Sequence, residues 1–272
     1  MYLGYQYGLS KMKIDTHTHI WDSLDFSNEV KRYTPKYLFT QSDLEKTMKN
    51  HNIKKAVLVQ PSFLGNDNSL LVKTVSKNPK KYRGVIVLDD FDTYENLKLL
   101  LISYNNLGIK GIRFNLIGKK LPNFRLKKYQ DLFYILNQLN WHLEIHANED
   151  DICKLFTSFN NFNLKIVLDH FARPKKLEYS EEFISLLKRD FNIYVKLSAN
   201  YRFNDLKIDN FINDLITIIG KEKLLWGSDC PFTRFENIWS YKKSIDLLTK
   251  NILTKGLEEV LDNNAKKLFQ WN

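Results

Sequence analysis

Short apolar runs rich in β-branched residues alternate along the chain with longer segments patterned for amphipathic helices. Runs such as Ala56–Gln60, Gly84–Leu88 and Lys165–Asp169 are apolar on consecutive positions, as in strands covered on both faces of a parallel sheet. Eight strands are predicted, at Lys13–His17, Lys55–Gln60, Gly84–Leu88, Gly111–Phe114, His142–His146, Lys165–His170, Ile193–Ser198 and Lys223–Ser228. Helical pattern falls between them at Asp43–Asn50, Asn68–Lys77, Tyr94–Asn106, Lys128–Leu139, Glu181–Arg189, Asn210–Ile219 and Trp239–Lys250. Strand–helix alternation repeated eight times predicts an α/β fold with a parallel sheet closed into a (β/α)8 TIM barrel, although a doubly wound open sheet shares the alternation. A last helix, about Leu257–Leu268, is expected to pack on the outside. No Gly-, Pro- or Ser-rich linker and no repeat divides the sequence, so residues 1–272 read as a single domain. The connection Trp21–Thr40 is longer than a usual βα loop. It carries Trp21, Arg32 and Tyr33 and is a candidate lid or substrate wall.

The length fits this reading, since 272 residues are close to the roughly 250 of a typical barrel. Two cysteines, Cys153 and Cys230, have no CxxC spacing and do not make a disulfide framework, which points to a reducing, cytoplasmic setting. The opening segment MYLGYQYGLSKMK lacks the apolar core of a signal peptide, and no run is long enough for a membrane span. Net charge is +10, but the lysines are scattered in pairs such as Lys54-Lys55 and Lys80-Lys81 rather than gathered in a tract. No nucleic-acid partner is therefore expected. Part of the charge is better suited to a small anionic substrate. A homo-oligomer is left open.

Polar residues gather at predicted strand ends. In Ile14-Asp15-Thr16-His17-Thr18-His19 the two imidazoles fall on one side of a strand, roughly 6–7 Å apart, where they can bind a metal or polarise a carbonyl. His146, His170 and Asp229 close the fifth, sixth and eighth strands, and a barrel would carry all of these to one rim. Asp229, ionised at neutral pH, suits a general base that takes a proton from water. Arg113 ends the fourth strand, Lys119 follows six residues later, and Arg202 follows the seventh. Cations there suit a carboxylate. His51 and His142 lie away from that rim and read as structural or surface residues.

The segments THTHIWD, QPSFLGND, GIRFNL, IVLDHFARP, VKLSANYR and LLWGSDCPF, in this order, resemble the amidohydrolase-related family that contains 2-pyrone-4,6-dicarboxylate lactonase and sugar lactonases. Asn264–Phe269 resembles that family's closing helix, and the likeness runs over about residues 13–270. The resemblance implies a (β/α)8 barrel and a hydrolase of a lactone carrying carboxylate groups. In its lactonase branch no metal is required: Asp229 would activate water, and His17, His19 and His170 would hold or polarise the carbonyl. Arg113, Arg202, Tyr33 and Ser62 match substrate-contact positions, and Lys119 stands where the branch has an arginine. His146 matches a histidine ligand of metal-dependent members, so the resemblance also leaves open one divalent metal such as zinc on His17, His19, His146 and Asp229. A metal-dependent decarboxylase is the nearest alternative. A TatD-type metallonuclease and a non-catalytic anion-binding barrel lie further off.

Overall fold

Runs without a polar face cannot lie against water on either side, and here they fold as the staves of one parallel sheet. The computed structural model describes residues 13–25, 33–91, 93–159, 161–189, 192–203, 208–252 and 254–271. The strands are β1 Lys13–Thr18, β2 Ile53–Val59, β3 Tyr82–Ile86, β4 Ile109–Asn115, β5 His142–His146, β6 Lys165–Leu168, β7 Ile193–Leu197 and β8 Leu224–Trp226. They pair in chain order, each parallel to the next. Around them run α1 Gln41–Asn50, α2 Ser69–Lys77, α3 Tyr94–Asn106, α4 Lys127–Gln138, α5 Glu149–Phe156, α6 Glu181–Lys188, α7 Ile208–Ile219 and α8 Tyr241–Asn251. A nearly closed (β/α)8 barrel results, as the alternation predicts.

Side-chain caps set several helix starts. Thr40 and Asp43 form a reciprocal capping box at α1, and Thr93, Ser180 and Ser240 each accept from a backbone N–H of the helix they precede. Helix α5 was absent from the sequence expectation; it is one short helix with three acids in its first turn. The closing helix also departs from expectation. It is split into α9 Thr254–Glu258 and α10 Asn264–Leu268 by a π-helical turn at Glu259–Asn263. Nor does it pack only on the outside: Ala265, Leu268, Phe269 and Trp271 join Ile14, Val57, Val85, Val167 and Leu225 in one buried apolar cluster. Arg83 on β3 holds this segment through the carbonyls of Phe269 and Gln270. The chain end therefore plugs the N-terminal mouth of the barrel.

The seam between the first and last strands decides what the other mouth can do. The Asp229 amide donates to the carbonyl of His17 at 2.9 Å, the His19 amide to that of Cys230 at 3.0 Å, and the Thr16 hydroxyl to that of Trp226 at 2.7 Å. Gly227 permits this approach, because a Cβ there would stand 2.6 Å from the Cβ of His17. Buried Asp15 braces the seam, accepting from the amides of His17 and Ser228 and from the Tyr241 hydroxyl.

The long connection folds back on itself where it is described. Trp21 bridges Phe39, its indole N–H donates to the carbonyl of Tyr37, and its ring meets Phe63 edge-on. Arg32 and residues 1–12 lie outside the described residues.

Candidate active site

At β2, β3, β6, β7 and β8 the predicted strands run past the observed ones at the C-terminal rim, because the chain leaves the ladder there to deliver side chains. After β6, His170, Phe171, Ala172 and Arg173 all have φ between 49° and 56°. Asp229 has φ 61° and Ala199 φ 52°. A non-glycine residue in this left-handed region costs about 1–3 kcal/mol, and such strain gathers where the surrounding structure over-determines a site.

That backbone brings His17, His19, His170 and Asp229 together. Asp229 Oδ1 lies 3.3 Å from His19 Nε2 and 3.6 Å from His17 Nε2. The ring of His17 is 5.0 Å from that of His19 and 4.8 Å from that of His170. His146 follows, 4.8 Å from His170. The other carboxylate oxygen of Asp229 accepts from the Tyr201 hydroxyl at 2.5 Å and from Arg202 Nε and Nη2 at 3.1 and 2.9 Å. Asp229 is thus held by one oxygen and presents the second to the imidazoles. Burial alone would raise its carboxyl pKa; Arg202, with the histidines, outweighs burial and holds it well below the usual carboxylate range. Burial pushes the His170 imidazole down to about 3 despite Asp229 and Asp169, so His170 is neutral at ordinary pH.

Beneath these groups lies a charged layer, of which the sequence analysis names only Arg113. Lys196 on β7 and Arg113 on β4 face Glu144 on β5 and Asp169 after β6, all buried. Lys196 Nζ donates to Glu144 Oε2 and lies 3.1 Å from His17 Nδ1. Arg113 Nε donates to Asp169 Oδ2 at 2.9 Å, and its Nη2 lies 3.1 Å from His146 Nδ1. Two cations and two anions balance, as buried charge requires. Burial and then Lys196 drive the His17 pKa well down; burial, His170 and Arg113 do the same to His146. One sign was available in the sequence: a charged residue flanked on both sides by apolar ones within a strand, as at Glu144 in His142–His146 and Lys196 in Ile193–Leu197.

Above them opens a cavity of about 120 Å³. His19, His146, His170 and Asp229 line it with Tyr33, Ser62, Arg113 and Arg202; His17 is fully buried beneath. Arg173, Arg234 and Asn115 line it too, none of them singled out beforehand. Tyr33 donates to Glu236 at 3.2 Å, which ties the long connection to the loop after β8. Lys119 is not in this cavity. It is exposed and lines an adjoining one that shares Ser62, Arg113 and Asn115. Of the two outlying histidines, His142 is buried against Phe269, and His51 bonds the carbonyl of Thr47.

Three groups have donor atoms within 4.8 Å of one another: His17, His170 and Asp229; His146, Asp169 and His170; and His17, Glu144 and Asp169. His146 therefore falls in a different group from the His17 and Asp229 with which it was paired as a metal ligand.

A parallel barrel with imidazoles and an aspartate at its C-terminal rim defines the class, and the chain belongs to the amidohydrolase family, whose model matches residues 14–271. It is 26% identical over 249 residues to a 2-pyrone-4,6-dicarboxylate hydrolase of Comamonas testosteroni, covering 83% of this chain and 79% of that one. It is 24% identical to a 4-sulfomuconolactone hydrolase of Rhizobium radiobacter, covering 97% and 91%. Among solved structures, a probable 2-pyrone-4,6-dicarboxylic acid hydrolase from Acinetobacter baumannii, with citric acid bound, superposes with a TM-score of 0.88 at 30% identity, covering 96% of this chain and all of that one.

Proposed function

We propose that this chain is a lactonase: it opens a cyclic ester of a small carboxylated substrate by adding water to the ring carbonyl. Asp229 Oδ1 takes the proton from water as its oxygen attacks the carbonyl carbon. His17, His19 and His170 polarise the carbonyl oxygen, and the ring C–O bond breaks to leave an acid and an alcohol or enol. Arg113, Arg202, Tyr33 and Ser62 receive the substrate's carboxylates, with Lys119 at the margin. The names of the relatives support the substrate class. One observation carries the mechanism: a buried carboxylate, anchored through one oxygen, offers the other within 3.6 Å of two imidazoles beside an arginine-lined cavity.

No step is routed through a metal. A dication draws on the full charge of its carboxylate ligands, whereas Asp229 is already ion-paired with Arg202. The same reading sets the protein in the cytoplasm, with a small anion rather than nucleic acid as its partner. Both thiols are free and buried, and among the described residues no helix is long and apolar enough to cross a membrane.

Asp229→Asn should lower turnover of 2-pyrone-4,6-dicarboxylate, or of a responsive member of a lactone panel read by pH-stat, by at least about a hundredfold with the fold intact. Near-normal turnover would defeat the mechanism. Release of CO₂ in place of a ring-opened acid would identify a decarboxylase.

A further inference from the structure

We propose that Lys196 is a positioning residue: it fixes His17 with its proton on Nε2, as Arg113 fixes His146, and so turns two prospective metal-ligand nitrogens into hydrogen-bond donors facing the reacting oxygen. The catalytic part of this inference rests on the lactonase reading; the proton positions do not.

The argument is one of donors and acceptors. An ammonium carries three N–H groups and no lone pair, and a guanidinium carries five and none. Either can meet an imidazole nitrogen only as the donor. Lys196 Nζ lies 3.1 Å from His17 Nδ1, and Arg113 Nη2 lies 3.1 Å from His146 Nδ1. Both Nδ1 atoms must therefore present their lone pairs. A neutral imidazole has one proton, so it sits on Nε2 in both rings.

The competing arrangement would place the His17 proton on Nδ1, pointing to Asp169 Oδ1 at 3.3 Å. That oxygen receives no well-aligned hydrogen bond among the described residues, and the Nδ1 proton would face the Lys196 ammonium. The Nε2 atoms of His17 and His146 are likewise buried without a partner among the described residues. His17 Nε2 is 3.6 Å from Asp229 Oδ1. A buried N–H without an acceptor is costly, and a water or the carbonyl oxygen of a substrate would satisfy it.

His19 is set the other way. Its Nδ1 lies 2.7 Å from the carbonyl of Val59 and its Nε2 3.3 Å from Asp229 Oδ1, and both of these can only accept. His17 and His19, two positions apart at one strand end, thus face neighbours of opposite hydrogen-bonding character. A divalent ion needs a lone pair on each ligand nitrogen, and Lys196 and Arg113 withhold two of them.

The test reads the ring nitrogens directly. In protein labelled with ¹⁵N-histidine, long-range ¹H–¹⁵N correlation spectra are assigned with His17→Gln and His146→Gln. His17 and His146 should both show a protonated Nε2 and a bare Nδ1. A protonated Nδ1 on His17 would overturn the proposal, whether or not any lactone is turned over. Lys196→Met should move the His17 proton to Nδ1, lower kcat by about tenfold or more with little change in KM, and raise zinc uptake in a competition assay with a chromogenic chelator. Lys196→Arg, another pure donor, should keep the wild-type spectrum. Should Lys196→Met not fold, Lys196→Met with Glu144→Gln keeps the buried charge balanced and is read in the same way. An Nε2–H signature that survives loss of Lys196 would sink the proposal.

Discussion

At the N-terminal end of the barrel, Ile14, Val57, Val85, Val167 and Leu225 close on Phe269 and Trp271. At the C-terminal end of the barrel stand four imidazoles, three carboxylates, Lys196 and Arg113 at comparable burial, with Arg202 half-buried beside them. The apolar end asks only for volume and area, and tolerance of shape is built into such packing. The charged end is stable only while each ionic group keeps its partner, because an unpaired charge out of water is expensive. One end is therefore free to hold the fold together. The other carries left-handed backbone and balanced charge in the service of a particular geometry.

The largest expected effect breaks the apolar end. Phe269→Ala should cost about 3–5 kcal/mol of stability, seen as a lower urea midpoint, while the folded fraction keeps turnover within about twofold. Lost activity at an unchanged midpoint would contradict the division of labour.

A smaller effect tests the charged end. Asp229 must be ionised to accept a proton, and Arg202 holds its pKa well below the ordinary range. Wild-type kcat/KM should therefore persist as pH falls through that range. Arg202→Met removes the cation, so the carboxyl protonates at higher pH, and the acid limb should rise by about one pH unit or more. A stationary limb would separate Arg202 from the base.

The smallest effect belongs to Lys119→Ala. Exposed and lining the adjoining cavity, this side chain should contribute less than about 1 kcal/mol to substrate binding. A tenfold rise in KM would show that the substrate spans both cavities.

The same contrast explains what the sequence discloses. The alternation with helical segments announces all eight strands, most of them as apolar runs, and the residues that end them announce the rim. His19, His170 and Asp229 could be placed there because parallel strands of a barrel share one C-terminal face. The layer below was legible only in part, through Arg113. Glu144, Asp169 and Lys196 look like stray charges until the barrel closes, and their meaning lies in one another. Arg173 and Arg234 stand on turns with positive φ, a conformation that no pattern of apolar positions predicts. Short α5 and the π-helical break before α10 are decided by packing rather than by periodicity.

The seam between β1 and β8 has a consequence for how the protein comes into being. His19 and Asp229 are 210 positions apart, yet the backbone bonds that hold them side by side are those that close the cylinder. A ribosome must have released nearly the whole chain before these two side chains can meet.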